Sequence, residues 1–218
     1  VEGVFVTGTG TEVGKTVVAA AIAHTLASEG KRVAVFKPTV TGLDEAGEPD
    51  HALLRRAAES TQADEEIAPY RYGPPMSPHL AAELAGEEID PELLLGAARE
   101  AAAGADALVC EGVGGLMVPL SPRYLVRDLA VDLALPLVVA ASPALGTINH
   151  TLLSVEAARS AGLDVAAVVL TPWPDAPAAI ERSNRETIAA LGEVEVETLP
   201  RLDLSAPSSW PRPALRPG

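Results

Sequence analysis

The sequence predicts an α/β fold, a doubly wound and mainly parallel sheet with helices on both faces. Three observations carry this. Short strand-like runs alternate with helix-length segments, and the first strand–helix–strand unit occupies about 30 residues, the span of a parallel crossover. The strand-like runs are continuously apolar, as expected when helices cover both faces of a sheet. A glycine-rich turn separates the first strand from the first helix.

Val4 to Thr7 is a β-branched and aromatic run that ends in glycines, so it reads as a buried strand. Gly14 to Glu29 is dense in Ala, Val, Ile and Leu and reads as a helix, with Gly30 where a left-handed C′ residue belongs. Val33 to Phe36 is the second strand. The stretch from Leu43 to Gly104 is less regular. His51 to Ala58 and Pro91 to Ala103 read as helices, the first with Asp50 and the second with Asp90 as N-cap. Between them Pro69, Pro74, Pro75 and Pro78 mark an extended loop. Beyond Gly104 the alternation returns: strand at Ala107 to Cys110, helix at Leu125 to Leu133, strand at Leu137 to Ala141, helix at Thr147 to Ala161, strand at Val165 to Leu170. Asp175 offers an N-cap for a last helix reaching about Leu191, with Gly192 behind it. This reads as one domain over residues 1–204 and a loose, proline-rich tail over 205–218.

Composition bounds the function. The chain has 218 residues with 16 basic and 30 acidic side chains, a net charge of −14, which excludes an extended nucleic-acid surface. Hydrophobic residues make 48 % and charged residues 21 %, ordinary for a globular domain. The single cysteine, Cys110, allows no internal disulfide and reads as an inert core thiol. No basic segment followed by an apolar run opens the chain, and no run approaches the ~18 apolar residues of a membrane helix. The expectation is a soluble, acidic, cytoplasmic protein with neither membrane nor nucleic acid as partner.

The strongest chemical signal is Gly8-Thr9-Gly10-Thr11-Glu12-Val13-Gly14-Lys15-Thr16, between the first strand and its helix. Glycines let backbone N–H groups face phosphate oxygens, and the helix start adds its positive dipole end. Lys15 is placed to reach the β- and γ-phosphates, and the Thr16 hydroxyl to ligate Mg²⁺. The fold class is therefore a single-domain P-loop NTPase-like one. Thr9 stands where the strict template has its first glycine, with Gly8 and Gly10 on either side.

The form Gly-Thr-Gly-Thr-x-Val-Gly-Lys-Thr, with Lys37-Pro38, Glu111-Gly112-Val113-Gly114-Gly115 and Gly146-Thr147-Ile148-Asn149-His150, resembles the dethiobiotin synthetase family from Val4 to about Leu202. The resemblance implies a Mg²⁺- and ATP-dependent cyclo-ligase of the penultimate step of biotin biosynthesis. It would carboxylate 7,8-diaminopelargonate with CO₂, by way of a carbamate and a carbamic–phosphoric anhydride, and close the ureido ring to dethiobiotin with release of ADP and phosphate. It makes Lys37 and Lys15 catalytic, and assigns nucleotide contacts to Glu12, Val13, Gly14, Lys15, Thr16, Val17, Asp50, Glu111, Gly112, Val113, Gly114, Thr171, Pro172, Pro200, Arg201 and Leu202. Metal contacts fall to Thr16, Asp50 and Glu111. Substrate contacts fall to Thr41, Gly114, Thr147 and Asn149, the last two from a neighbouring subunit, which implies a homodimer. Thr41 replaces a serine and keeps the hydroxyl. Thr171-Pro172-Trp173-Pro174 replaces the asparagine that reads adenine, which leaves the base preference open.

Each residue also has a plainer role on its own. Lys37 is a lysine at a strand end, Asp50 a helix cap, and Thr147 and Asn149 are capping residues. A competing class is a P-loop switch or partitioning ATPase acting on a protein or DNA. Such chains carry an extra lysine early in the loop, where this one has Gly8 and Thr9, and no Asn-Lys-x-Asp element is present. An amide ligase of larger cofactor precursors would need a further domain.

Overall fold

The computed structural model describes residues 2–213. In chain order the elements are β1 (Glu2–Gly8), α1 (Lys15–Ser28), β2 (Val33–Phe36), β3 (Thr39–Val40), α2 (Asp50–Ala57), α3 (Asp64–Ile67), β4 (Tyr70–Arg71), α4 (Pro78–Ala85), α5 (Pro91–Ala102), β5 (Ala107–Glu111), β6 (Pro119–Ser121), β7 (Tyr124–Leu125), α6 (Val126–Leu133), β8 (Leu137–Ala141), α7 (Thr147–Ser160), β9 (Val165–Trp173), α8 (Ala179–Gly192) and β10 (Val196–Pro200). A short 3₁₀ turn follows at Pro207–Ser209.

Six strands form one parallel sheet in the order β10-β9-β8-β1-β5-β2. Alternate residues of each strand serve opposite faces. Val4 and Val6, Val33 and Val35, Ala107 and Val109, and Val138 and Ala140 point into one core, closed by α1, α2 and Trp210. Phe5, Ala34 and Phe36, Leu108 and Cys110, and Leu137, Val139 and Ala141 point into the other, closed by α4 to α8. The continuous apolar strands thus have the cause inferred from sequence: each face has its own core. From β1 the chain travels to the edge strand β2, turns back to β5 and passes β1 to reach β8, so the connections that leave the neighbouring strands β1 and β8 run in opposite directions. Ligands of open α/β sheets bind at such a switch point, beyond the carboxyl ends of the strands.

Several boundaries depart from the sequence reading. Asp50 is the first residue of α2 and Pro49 its cap, so the Asp50 carboxylate does not cap and is free to act elsewhere. Asp90 does cap α5, accepting from the Glu92 N–H at 2.9 Å. Asp175 caps nothing: α8 starts at Ala179, and Gly192 is its last residue while Glu193 takes the left-handed position. The prolines between α2 and α5 do not mark one extended loop, because Pro78 opens α4 and Tyr70–Arg71 pair with Thr39–Val40. β9 continues to Trp173, and the Thr171–Pro172 peptide within it is cis. The edge strand β10 was not anticipated, because its Glu197 and Thr198 interrupt the apolar run. The tail is not loose throughout: Trp210 is buried on α1, edge-on to His24 at 5.6 Å. Residues 214–218 lie outside the described residues.

Candidate active site

The glycine-rich turn crosses the carboxyl end of β1 and is tied to the next strand by Thr9 N–H to the Ala140 carbonyl, 3.0 Å. Gly14 sits at φ +92°, and a Cβ there would lie 2.5 Å from Thr171 Cγ2, so both backbone shape and space require glycine. Thr9 avoids the left-handed region, so the missing template glycine costs the loop nothing. Lys15 folds back over the loop and donates to the Gly10 carbonyl at 2.8 Å.

Beside the loop lies a compact charged cluster. Thr16 Oγ1 is 2.9 Å from Glu111 Oε1 and 3.0 Å from Asp50 Oδ1. Lys37 Nζ donates to Glu111 Oε1 at 2.6 Å and to Asp50 Oδ2. Glu111 is fully buried, Lys37 nearly so, and the Asp50 carboxylate is 44 % exposed. Two strand ends and two helices create this arrangement: β2 delivers Lys37, β5 delivers Glu111, and α1 and α2 deliver Thr16 and Asp50 from their first turns. Because Val6 pairs with Glu111, the Glu111 side chain emerges on the face covered by α1, toward Thr16.

Burial raises the Glu111 carboxyl above the ordinary range, and the like charge of Asp50 adds to this; Lys37 offsets only part. Burial opposes the Lys37 charge too, but its two carboxylates outweigh that and hold it above its usual value. At Asp50 burial is likewise outweighed, by Lys37 and the Thr16 hydroxyl, and the carboxyl is held low. Lys15 is lowered by burial. The cluster thus sets one cation between two acidic side chains driven in opposite directions, Glu111 upward by burial and Asp50 downward by Lys37 and the Thr16 hydroxyl.

The cluster forms one wall of a cleft of about 730 Å³. The sequence-predicted Glu12, Gly14, Lys15, Thr16, Val17, Lys37, Thr41, Asp50, Glu111, Val113 and Gly114 all line it. Val13 packs toward the α1 core instead, and Gly112 is wedged behind the cleft between Phe5 and Val126. Thr171 abuts Gly14, while Pro172, Pro200, Arg201 and Leu202 lie at the carboxyl ends of β9 and β10, outside the lining. Thr147 and Asn149 are not brought to the cleft. Thr147 is buried against the Thr151 hydroxyl at 3.3 Å, and Asn149 is exposed on α7. Sequence reasoning missed Thr39, whose buried hydroxyl has no partner and which lines the cleft two residues after Lys37. It also missed the outer wall, made by Leu43 to Glu48 and Pro75 to Pro78.

A divalent ion fits this chemistry. Glu111 Oε2 is buried without a hydrogen-bond partner, and Thr16 and Asp50 add hard oxygen donors beside it. Among the described residues no group of three or more acidic, His or Cys side chains is placed to cage a metal alone. Such a sparse set suits an ion that takes its remaining ligands from water and phosphate.

The chain matches a family model described as an AAA domain over residues 2–208. It is similar to the ATP-dependent dethiobiotin synthetase BioD of Bacillus subtilis, at 36 % identity over 89 % of this chain and 84 % of that protein. The protein of the same name from Rhodococcus erythropolis is 40 % identical over 87 % and 84 %, and that from Anaeromyxobacter dehalogenans 46 % over 77 % and 75 %. Among solved structures, the MinC:MinD cell division complex of Aquifex aeolicus superposes with a TM-score of 0.59 at 15 % identity, covering 93 % of this chain and 83 % of that one. A ParA family ATPase from Chlorobium tepidum gives 0.58 at 14 %, covering 95 % and 88 %. These last two establish the P-loop fold and nothing of function.

Proposed function

The chain belongs to the dethiobiotin synthetase family, ATP-dependent ligases of biotin biosynthesis, and we propose on that premise that the cleft around Lys37 carboxylates a vicinal diamine and closes it to a cyclic urea. The observation that carries this is Lys37 itself, a buried cation in the same cleft as the phosphate-loop Lys15 and Thr16.

A neutral amine of 7,8-diaminopelargonate takes up CO₂ as a carbamate. Lys37 and backbone N–H groups near Gly114 hold that anion, with Thr41 orienting the diamine. The carbamate oxygen attacks the γ-phosphate in line, ADP leaves, and a carbamic–phosphoric anhydride remains. The second amine then attacks the carbonyl carbon, and phosphate departs as the ureido ring closes. Phosphoryl transfer asks little covalent chemistry of the protein, so positioning and charge carry the rate. Lys15 and the loop N–H groups from Glu12 to Val17 hold the β- and γ-phosphates. Thr16, Asp50 and Glu111 would hold Mg²⁺. When bound, that ion neutralises charge on the phosphates.

The base falls to Thr171, Pro172 and the loop Pro200-Arg201-Leu202, which share one edge of the sheet. Without an asparagine at 171 this wall has no side-chain amide for adenine. The substrate's carboxylate tail falls to the amino end of α7 of a second copy, where Thr147 and Asn149 stand. A helix start contributes roughly 0.3–1 kcal/mol to such an anion. Leu145 and Leu153, 86 % and 58 % exposed on that segment, support a homodimer through this face. No helix among the described residues is long and apolar enough to cross a membrane.

The test is nucleotide turnover with and without the diamine and bicarbonate. ADP release that requires both supports the reading. Release indifferent to the diamine but stimulated by DNA or a protein partner would replace it with the switch ATPase.

A further inference from the structure

Outside the charged cluster, one side chain ties the outer wall of the cleft to the segment that follows β10. Arg56, in the last turn of α2, donates from Nε to Glu48 Oε1 at 3.0 Å and from Nη2 to Glu48 Oε2 at 2.6 Å. Its third nitrogen, Nη1, donates to the Leu204 carbonyl at 2.8 Å. Glu48 belongs to the outer wall of the cleft, in a stretch outside any helix or strand, two residues before Asp50. Leu204 follows the loop Pro200-Arg201-Leu202 by two residues.

The far side of Leu204 is also secured. Asp203 accepts from the Ser205 N–H at 2.9 Å and its hydroxyl at 2.6 Å, which closes a tight turn. The Asp203 carbonyl accepts from Trp210 Nε1 at 2.7 Å, and the Trp210 ring is buried in the core of α1. The tail thus fixes the position of Leu204, and Arg56 transmits it to Glu48.

We propose that Arg56 is a positioning residue for the nucleotide, holding the phosphate-side wall at Glu48 and Asp50 in register with the base-side loop at 200–204. The inference rests on the reading of this cleft as the nucleotide site. A partly exposed ion pair contributes little to global stability, so stability is not what this contact chiefly provides. Lysine does not substitute, because a single ammonium lacks the fork that meets a carboxylate on one edge and a carbonyl on the other.

The experiment compares the full-length protein with Arg56→Ala, Arg56→Lys and Glu48→Gln, by titration calorimetry with Mg·ATP and by steady-state kinetics. Arg56→Ala is expected to weaken nucleotide binding about tenfold and raise KM for ATP in parallel. The diamine KM and kcat should stay within about twofold, and the melting temperature within a few degrees. Arg56→Lys should recover less than half of the loss on a logarithmic scale. Glu48→Gln should weaken binding by about threefold, and adding it to Arg56→Ala should weaken it no further. Unchanged nucleotide affinity in Arg56→Ala overturns the inference, as do equal losses in every kinetic parameter or full recovery by lysine. Lys15→Ala separates the two levels: if it too leaves nucleotide binding intact, the reading of the cleft falls along with the inference. If Lys15→Ala abolishes binding and Arg56→Ala has no effect, the inference alone falls.

Discussion

Lys37→Met keeps the aliphatic bulk of the side chain and removes its charge. Glu111 is fully buried, so the change strands a carboxylate with Thr16 as its remaining hydrogen-bond donor and Asp50 as a like-charged neighbour. Breaking a buried pair in this way costs about 3–5 kcal/mol. The loss has a ceiling, because Glu111 can take up a proton instead. From an ordinary carboxylate value of 4.5, protonation at pH 7 spans 2.5 units, about 3.4 kcal/mol at ~1.36 per unit. At pH 5 the ceiling falls to about 0.7 kcal/mol. The sign follows from linkage: a carboxyl raised in the folded state opposes folding progressively as pH rises above its unfolded value. Urea unfolding should therefore show a deficit near 3 kcal/mol at pH 7 that shrinks below about 1 kcal/mol at pH 5. Mg²⁺ should recover part of the deficit at pH 7 in the variant and little in the wild type. Turnover should fall at least ~10²-fold, the scale for removing one charge-stabilising donor. A deficit equal at both pH values, or none, refutes the electrostatic reasoning, and retained turnover refutes the catalytic role.

Gly14→Ala places a methyl group 2.5 Å from Thr171 Cγ2 at a left-handed backbone. The cost should be roughly 2–4 kcal/mol in urea unfolding, with nucleotide binding lost; adding Thr171→Ser, which removes Cγ2, should return only the steric part. Thr16→Val removes the hydroxyl between Asp50 and Glu111, and should raise the Mg²⁺ concentration needed for half-maximal turnover by about tenfold, as a metal titration at saturating ATP would show. Asp106, which pairs with Arg32, is pushed down to about 2 by hydrogen bonds from the Arg32 side chain and backbone. Its stabilising contribution is present above 3.8 and lost as pH falls toward 2, so its carboxyl carbon should titrate near 2 by NMR. A midpoint near 4 would contradict the pairing. Mixing Lys37→Met with Asn149→Ala subunits should restore more turnover than either gives alone if the substrate site is shared between copies.

Much of the fold was legible because each parallel strand is buried on both faces and therefore written as a continuous apolar run. Val33–Phe36 and Leu137–Ala141 were located to the residue for that reason. The edge strand β10 was not, since only Val196 and Leu199 are buried and the polar Glu197 and Thr198 stand between them. The chemistry of the first turn was legible because backbone shape demands particular residues there, above all glycine at position 14. The union of Thr16, Lys37, Asp50 and Glu111 was not legible from spacing alone, because their elements meet only through sheet order. It needed the motif resemblance. Thr39, Arg56 and Trp210 carried no local signal at all. A threonine beside a proline, an arginine on an amphipathic helix and a tryptophan in a proline-rich tail read as ordinary surface until the chain is folded around them.

The order of bond making is tested most directly by the fate of the CO₂ oxygens. Turnover in ¹⁸O-labelled bicarbonate, corrected for exchange with water, should place one labelled oxygen in each phosphate released and one in the ureido carbonyl. That distribution follows only if a carbamate oxygen attacks the γ-phosphate and stays with phosphorus when the ring closes. Unlabelled phosphate would contradict the anhydride route: with dethiobiotin formed it would overturn the order of bond making, and without dethiobiotin it would return the cleft to simple ATP hydrolysis.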